Sequence, residues 1–225
     1  MSLPSLQAVL DTGSPVVACA RPWARDLLAG FRLDGFVAMK GHWRQDRAAV
    51  SAYKKQARHI HAKGLLLPDS LSSALVFKFA GVPSAGYRDD GRSLILRWPI
   101  NKPDARLHAV QSWRHLTCTA LSRWNLPAPP ELSAKGLGLK LTQKHHVQAL
   151  ETLNNAGLKA GQFILIAPTA TGLHHGKAKV WPHFDQLTRS LQNRGRTVVM
   201  CPPPSEITQA KQNAPTALVL APVDL

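Results

Sequence analysis

Short apolar runs alternate with amphipathic stretches along most of this chain. Phe163, Ile164, Leu165 and Ile166 form a continuous apolar run, the pattern of a strand buried on both faces of a parallel sheet. A polar segment follows, rich in Thr, Gly, His and Lys, and then Phe184, Leu187 and Leu191 recur at helical spacing. Gly195 stands where that helix should end, and Thr197 to Met200 reads as the next buried strand. The same alternation is legible upstream. Val16 to Ala18, Gly35 to Met39 and Leu65 to Leu67 read as strands, and Leu94 to Trp98 as extended chain. Between them, Arg21 to Phe31, Gln45 to His59, Ser72 to Phe79 and Leu107 to Trp124 read as helices. In the last of these, Val110, Trp113, Leu116, Thr117 and Leu121 share a face.

The segment Asn125 to Gly138, with three prolines and two glycines, cannot lie inside an element and suits a linker. After it the pattern restarts with an expected strand at Leu139 to Leu141 and a helix from Gln143 to Asn155. The organisation expected is therefore residues 1–126 as an N-terminal Rossmann-like unit, 127–138 as linker and 139–225 as a C-terminal unit. Strands alternating with helices on both sides imply the α/β class with parallel sheets. Both units look short of strands, because the first begins on a helix-like stretch, Ser2 to Leu10, and the last strand-like run, Ala217 to Leu220, lies just before Leu225.

Composition narrows the partners. The formal net charge is +15, from 28 Lys and Arg against 13 Asp and Glu, which favours anionic ligands: a phosphorylated substrate, an acidic membrane surface or nucleic acid. The densest basic group, Arg44, Arg47, Lys54, Lys55 and Arg58, falls on an expected helix and reads either as a solvated face or as a patch for an acidic partner. Nothing resembles a helix-turn-helix, a zinc finger or RNA-recognition aromatics, so nucleic acid is not the expected partner. No apolar run reaches the length of a membrane span, and the N-terminus lacks the basic and apolar regions of a signal peptide. Cys19, Cys118 and Cys201 fit no disulfide framework or metal knuckle and read as small buried thiols in a reducing compartment. His145 and His146 are adjacent on a helix and make a poor metal pair, and no metal site is expected. The six tryptophans read as core residues.

The polar segment after Ile166 carries the clearest candidate chemistry. Loops joining a parallel strand to its helix usually run about 2–6 residues, and this one is much longer. It lies where α/β folds bind ligands, at a strand's carboxyl end and before a helix N-terminus that favours anions. Lys177 and Lys179 add point charges suited to phosphate, and a merely solvated connection is the alternative.

Four stretches resemble glycosyltransferase family 9, the bacterial lipopolysaccharide heptosyltransferases: "MSLPSLQAVL", "LLLPDSLSSALVFKFAGVPSAGYRDDGR", "FILIAPTATGLHHGKAKVWPHFDQLTRSLQNRG" and the restart after the linker. The element Lys179, Trp181, Pro182 is the most specific of these, since a Lys shortly before Trp-Pro marks the family's donor loop. The resemblance implies a GT-B-like architecture of two Rossmann-like units, both incomplete here, and inverting transfer of a heptose from ADP-heptose. The acceptor it implies is the lipopolysaccharide inner core or the lipid A–Kdo region. It places Lys179, Thr169, Thr171 and Glu206 among donor-binding positions, and Ser70, Arg88 and Arg92 on the acceptor side. His174 and His175 share the donor loop. From the residues themselves, Arg88 and Arg92 read first as a turn with surface ion pairs, and as acceptor phosphate contacts otherwise. The family's candidate base matches no residue here. Asp69 is a weak substitute at a strand's end, and a turn or capping role suits it better. The resemblance further implies catalysis without a cofactor, and a cytoplasmic location at the face of the inner membrane. A non-catalytic remnant of the family and a basic nucleic-acid-binding module are the alternatives.

Overall fold

A computed structural model describes residues 2–57, 61–89, 91–103, 107–127, 129, 136–170, 173–174 and 177–221, the pairs 173–174 and 177–178 by backbone alone. The chain divides into two compact units, Met1–Leu141 and Thr142–Leu225.

In the first unit, helix α1 (Leu3–Leu10) starts with Pro4 in its first turn, where a missing N–H costs no hydrogen bond. Strand β1 (Val17–Ala20), helix α2 (Ala24–Leu27) and strand β2 (Gly35–Ala38) follow, and β1 pairs with β2 in parallel, Val17 opposite Gly35. Helix α3 (Trp43–Gln56) leads to strand β3 (Gly64–Leu66), helix α4 (Leu71–Phe79), strand β4 (Ser84–Tyr87), strand β5 (Trp98–Ile100) and helix α5 (Ala109–Arg123). Strands β3, β4 and β5 form a second, all-parallel sheet in that order.

The period of two in each strand sends alternate side chains to opposite faces. Ala85, Tyr87 and Ile100 pack with Leu116 and Ala120 of α5 on one face, with Leu65, Leu67 and Trp98 beside them. Leu66 packs with Ala74 of α4 on the other. Val37 of β2 meets Val50 of α3 and Val76 of α4 in a separate cluster. Helix ends follow local chemistry. Ser70 caps α4, its hydroxyl accepting from the Ser73 N–H at 3.3 Å, and Gly81 ends it with φ at +71°. Asn125, at φ +56°, does the same after α5, one of the few non-glycine residues at ease there.

The second unit opens with helix α6 (Gln143–Asn155), capped reciprocally by Thr142 and His145. Strand β6 (Phe163–Ile166), the short antiparallel ribbon of β7 (Leu173–His174) and β8 (Lys177–Ala178), helix α7 (Phe184–Gln192), strand β9 (Thr197–Met200), helix α8 (Ile207–Asn213) and strand β10 (Leu218–Val219) complete it. The parallel order is β10-β9-β6. Ile166, Val198 and Met200 pack on Ala210 and Ala214 of α8, with Ile164, Phe184 and Leu191 around them. The opposite face carries Leu165 and Leu218, both largely exposed, and α6 buries none of its residues.

Several elements differ from the sequence reading. Leu94 to Trp98 is not a strand: a turn of 3₁₀ helix spans Arg92–Leu94 after Gly91 at φ +75°, Leu94 is 91% exposed, and the strand starts at Trp98. The turn wins because the Asp89 carbonyl accepts the Arg92 N–H. Leu139 to Leu141 pairs with no strand. The Lys140 carbonyl instead lies so close to Gly30 that a Cβ there would stand 2.1 Å from it. The expected helix at Arg21 to Phe31 shrinks to the four residues of α2. No tryptophan is fully buried among the described residues, and Trp23, Trp43 and Trp181 are exposed, as is Cys201. Most of the expected linker, including 130–135, lies outside the described residues.

Candidate functional site

Strands β3, β4 and β5 are parallel, so their carboxyl ends share one edge, where such sheets bind ligands. Asp69 follows β3, Arg88 and Asp89 follow β4, and Asn101 and Lys102 follow β5. Asp69 meets Arg92 Nη1 at 3.6 Å and Lys102 Nζ at 3.1 Å. Lys102 also donates to Asp89, so one ammonium bridges two carboxylates. Those hydrogen bonds, Asp89 first and Asp69 second, hold its pKa above the ordinary lysine value. Arg92 is fully buried, and an added Cβ on Gly86 of β4 would stand 2.9 Å from its Nη2. Arg88 is exposed, and its Nη1 donates to Asn101 Oδ1 at 3.3 Å.

Below this layer, the Tyr87 hydroxyl donates to the Ser112 carbonyl and lies 3.2 Å from His115 Nδ1. Burial is the main force raising the Tyr87 pKa, and the Asp69 charge adds to it. Lys102 stands 5.9 Å over the Tyr87 ring, a cation–π contact that ties the charged layer to the network beneath.

The structure thus gathers Asp69, Ser70, Arg88 and Arg92 at one sheet edge. Ser70 is exposed and caps α4, and Asp69 makes ion pairs rather than a cap. Arg92 does open a turn and make an ion pair, as one sequence reading had it, but its own side chain is buried while its partner Asp69 is exposed. Lys102, Asp89 and Asn101 are the members the sequence reading missed. Their signal lay in "WPINK": with the strand placed at Trp98–Ile100, Lys102 stands at a strand end.

In the second unit, β6 runs into buried Pro168 and half-buried Thr169. The Pro168 carbonyl accepts from Asn213 Nδ2 of α8 at 2.8 Å, which pins the start of the long loop. The β7–β8 ribbon shortens the remainder, and Lys179 emerges exposed immediately after β8. Trp181 packs edge-on against His183 and Phe184, with centroids 5.5 and 5.4 Å apart, just before α7. Glu206 is half-buried at the start of α8. Thr171 and His175 lie outside the described residues, and His174 and Lys177 are described by backbone alone. Among the described residues, no group of three or more His, Cys, Asp or Glu is placed to hold a metal ion. No helix among them is long and apolar enough to cross a membrane.

The family model of glycosyltransferase family 9 (heptosyltransferase) matches residues 53–225. No curated protein matches the chain in sequence. Among solved structures, a glycosyl transferase family 9 protein from Veillonella parvula is similar over 97% of this chain and 66% of its own, with 12% identity and a TM-score of 0.67. The E. coli ADP-heptose LPS heptosyltransferase II shares 23% identity over 93% of this chain and 61% of its own, at a TM-score of 0.62. The E. coli heptosyltransferase WaaC, solved with ADP, shares 18% identity over all of this chain and 70% of its own, at 0.68. The chain therefore spans about two thirds of the length of these structures. The likeness establishes the α/β fold with parallel sheets of GT-B-like family 9 proteins.

Proposed function

Because the chain belongs to glycosyltransferase family 9, the heptosyltransferases, we propose that it transfers a heptose from ADP-heptose to the lipopolysaccharide inner core, with inversion at the anomeric carbon. The observation that carries this reading is the loop between β6 and α7. Its start is pinned by Asn213, and its exposed Lys179 precedes the aromatic group at the mouth of α7. In the reaction the acceptor hydroxyl oxygen bonds the anomeric carbon. The bond from that carbon to the diphosphate oxygen breaks, and ADP leaves with the electron pair. Negative charge grows on the diphosphate as that bond lengthens, and a fixed cation aimed at it lowers the barrier. Lys179 supplies that cation, with Thr169 and Thr171 as hydroxyl donors and Glu206 beside the nucleoside.

The proton released by the acceptor hydroxyl needs a base. Asp69 is a poor fit because Arg92 and Lys102 already engage both of its oxygens. The edge formed by Ser70, Arg88, Asn101 and Lys102 suits a phosphorylated sugar acceptor of the core or lipid A–Kdo region. The net charge of +15 suits work at the anionic cytoplasmic face of the inner membrane. The loop lysines neutralise the diphosphate, so no metal cofactor is invoked.

Calorimetry with ADP and ADP-heptose on the full chain tests the donor assignment. Lys179→Ala should weaken ADP binding by about tenfold, since one charge-assisted phosphate contact is worth about 1.5–3 kcal/mol when formed and less when exposed. Equal affinity in wild type and variant would remove Lys179 from the site.

A further inference from the structure

Helices α3 and α4 pack together through Val50 and Val76, and their outer surface leaves two aromatic rings uncovered. Trp43 opens α3 and is 46% exposed, and Phe79 closes α4 and is 58% exposed. Their ring centroids lie 6.3 Å apart with the planes tilted by 49°. The Arg44 guanidinium stands 5.5 Å over the Trp43 ring. Arg47 Nε donates to the Phe79 carbonyl at 3.3 Å and Lys54 Nζ to the Gly81 carbonyl, so cations also cover the electronegative end of α4.

Gly81 carries this surface onward. It lines a groove of about 420 Å3 together with Lys78, Pro83, Leu94 and Arg97. Leu94, at the end of its 3₁₀ turn, is 91% exposed. Arg44, Arg47, Lys78 and Arg97 are exposed as well. Accessible charge on this face has one sign. Asp46 is the only carboxylate in α3, α4 or residues 91–97, and it is buried, accepting from the Lys40 and Gly41 N–H groups at 2.7 and 3.0 Å.

Exposed apolar side chains rimmed by charge mark an interaction surface, and the charge selects the partner. A second copy of a chain carrying +15 is repelled. Tilted rings, one of them covered by Arg44, make a poor stacking platform for nucleic-acid bases, and Leu94 offers bases nothing. An anionic bilayer matches every part: aromatic rings at headgroup depth, aliphatic groups below them and cations at the phosphates.

We propose that this face of α3, α4 and the 91–97 turn docks the protein on an anionic phospholipid bilayer. Trp43, Phe79 and Leu94 enter the boundary of the acyl region, while Arg44, Lys78 and Arg97 meet headgroup phosphates. The inference rests on the reading in which the acceptor is lipid-borne. It adds what net charge alone does not imply, an apolar wedge and therefore a share of the binding that survives salt. None of these six residues belongs to the charged strand-end cluster or to the loop after β6.

The test is co-sedimentation of the full chain with vesicles of phosphatidylethanolamine and phosphatidylglycerol, compared with phosphatidylcholine alone. Trp43→Ala/Phe79→Ala should lower partitioning about tenfold and Leu94→Ser about fivefold, in line with the apolar area each withdraws from the bilayer. Leu94→Ser touches no core residue and keeps the test decisive even where the double variant unfolds. Leu150→Ser on α6, 56% exposed in the wild type, is the control and should change nothing. Raising salt from about 0.1 to 0.5 M should weaken wild-type binding and abolish that of the double variant. Equal partitioning of wild type and Leu94→Ser would overturn the proposal. So would an equal loss in Leu150→Ser, which means non-specific apolar adsorption, or equal binding to phosphatidylcholine. Complete loss of wild-type binding at the higher salt would leave charge alone and overturn the wedge. Variants that lose binding to a single-stranded oligonucleotide but keep vesicle binding would make the partner nucleic acid. ADP calorimetry on the same variants should match wild type, which separates failure of docking from failure of the donor assignment.

Discussion

Cys19 lies on β1 and lines a cavity of about 540 Å3 within the first unit, and its burial pushes the thiol from its ordinary value near 9 up to about 11. The sign follows from linkage. The unfolded chain releases this proton near pH 9 and the folded chain only near pH 11, so the contribution is fully present below pH 9 and is lost as pH rises toward 11. Two pH units at about 1.4 kcal/mol each give roughly 3 kcal/mol at the alkaline limit. Replacing Cys19 by Ala removes the titration and leaves every other group unchanged. Urea unfolding of wild type and Cys19→Ala, followed by tryptophan fluorescence in reducing buffer from pH 7 to 11, should give a constant stability difference up to about pH 8.5. Above that the difference should move in favour of the variant by about 2–3 kcal/mol. Titration of the lysines, tyrosines and the other two cysteines is common to both proteins and cancels. Parallel stability curves across the whole range would show that the thiol is not shielded by the fold and would refute the burial argument.

Other positions give sharper structural tests. Gly64→Ala on β3 puts a Cβ 2.7 Å from Ser84 Oγ and 2.9 Å from the Phe77 ring, and thermal unfolding should show a loss of about 1–3 kcal/mol. Met200→Ala empties the fully buried centre of the second unit's sheet and should cost about 2–5 kcal/mol by denaturant titration. Ser70→Ala removes the cap of α4 and should cost about 1 kcal/mol in the same measurement. Lys102→Met leaves Asp69 and Asp89 facing each other without their shared ammonium. Because Lys102 and both carboxylates are exposed by more than 40%, the stability loss should stay below about 1 kcal/mol, with a crystal structure showing Asp69 or Asp89 displaced.

The fold was legible where periodicity and end signals agreed. Phe163 to Ile166, Thr197 to Met200 and the helix over Gln143 to Asn155 fall where their patterns put them. It was not legible where local turn chemistry outweighed an apolar run. Leu94, Ile95 and Leu96 look like a strand, yet Gly91 and the Asp89 carbonyl hold the chain in a tight turn, and Leu96 reaches the core from a loop. Leu139 to Leu141 has strand composition but pairs with no strand among the described residues, and the Lys140 carbonyl lies against Gly30 instead, a tertiary contact that no window of sequence contains. The strand-end cluster of charges was half legible. Arg88 and Arg92 are close along the chain, whereas Asp69 and Lys102 come together only because β3 and β5 flank the same strand. The long loop after β6 was legible as a candidate site from its length and lysines, while the tether from Asn213, 45 residues beyond Pro168, was not.

The charges at the strand-end edge compensate one another. Among the described residues, Asp69 and Asp89 are matched by Arg92 and Lys102, and Arg88 donates to Asn101. Among the described residues, a chain carrying +15 overall therefore presents paired charges at this edge, and most of its excess charge is carried by other residues. Long-range attraction and local recognition are then separate properties. Added salt should slow the approach of an anionic partner to the protein as a whole, while the ion pairs that order this edge, among them that of buried Arg92, should be less affected.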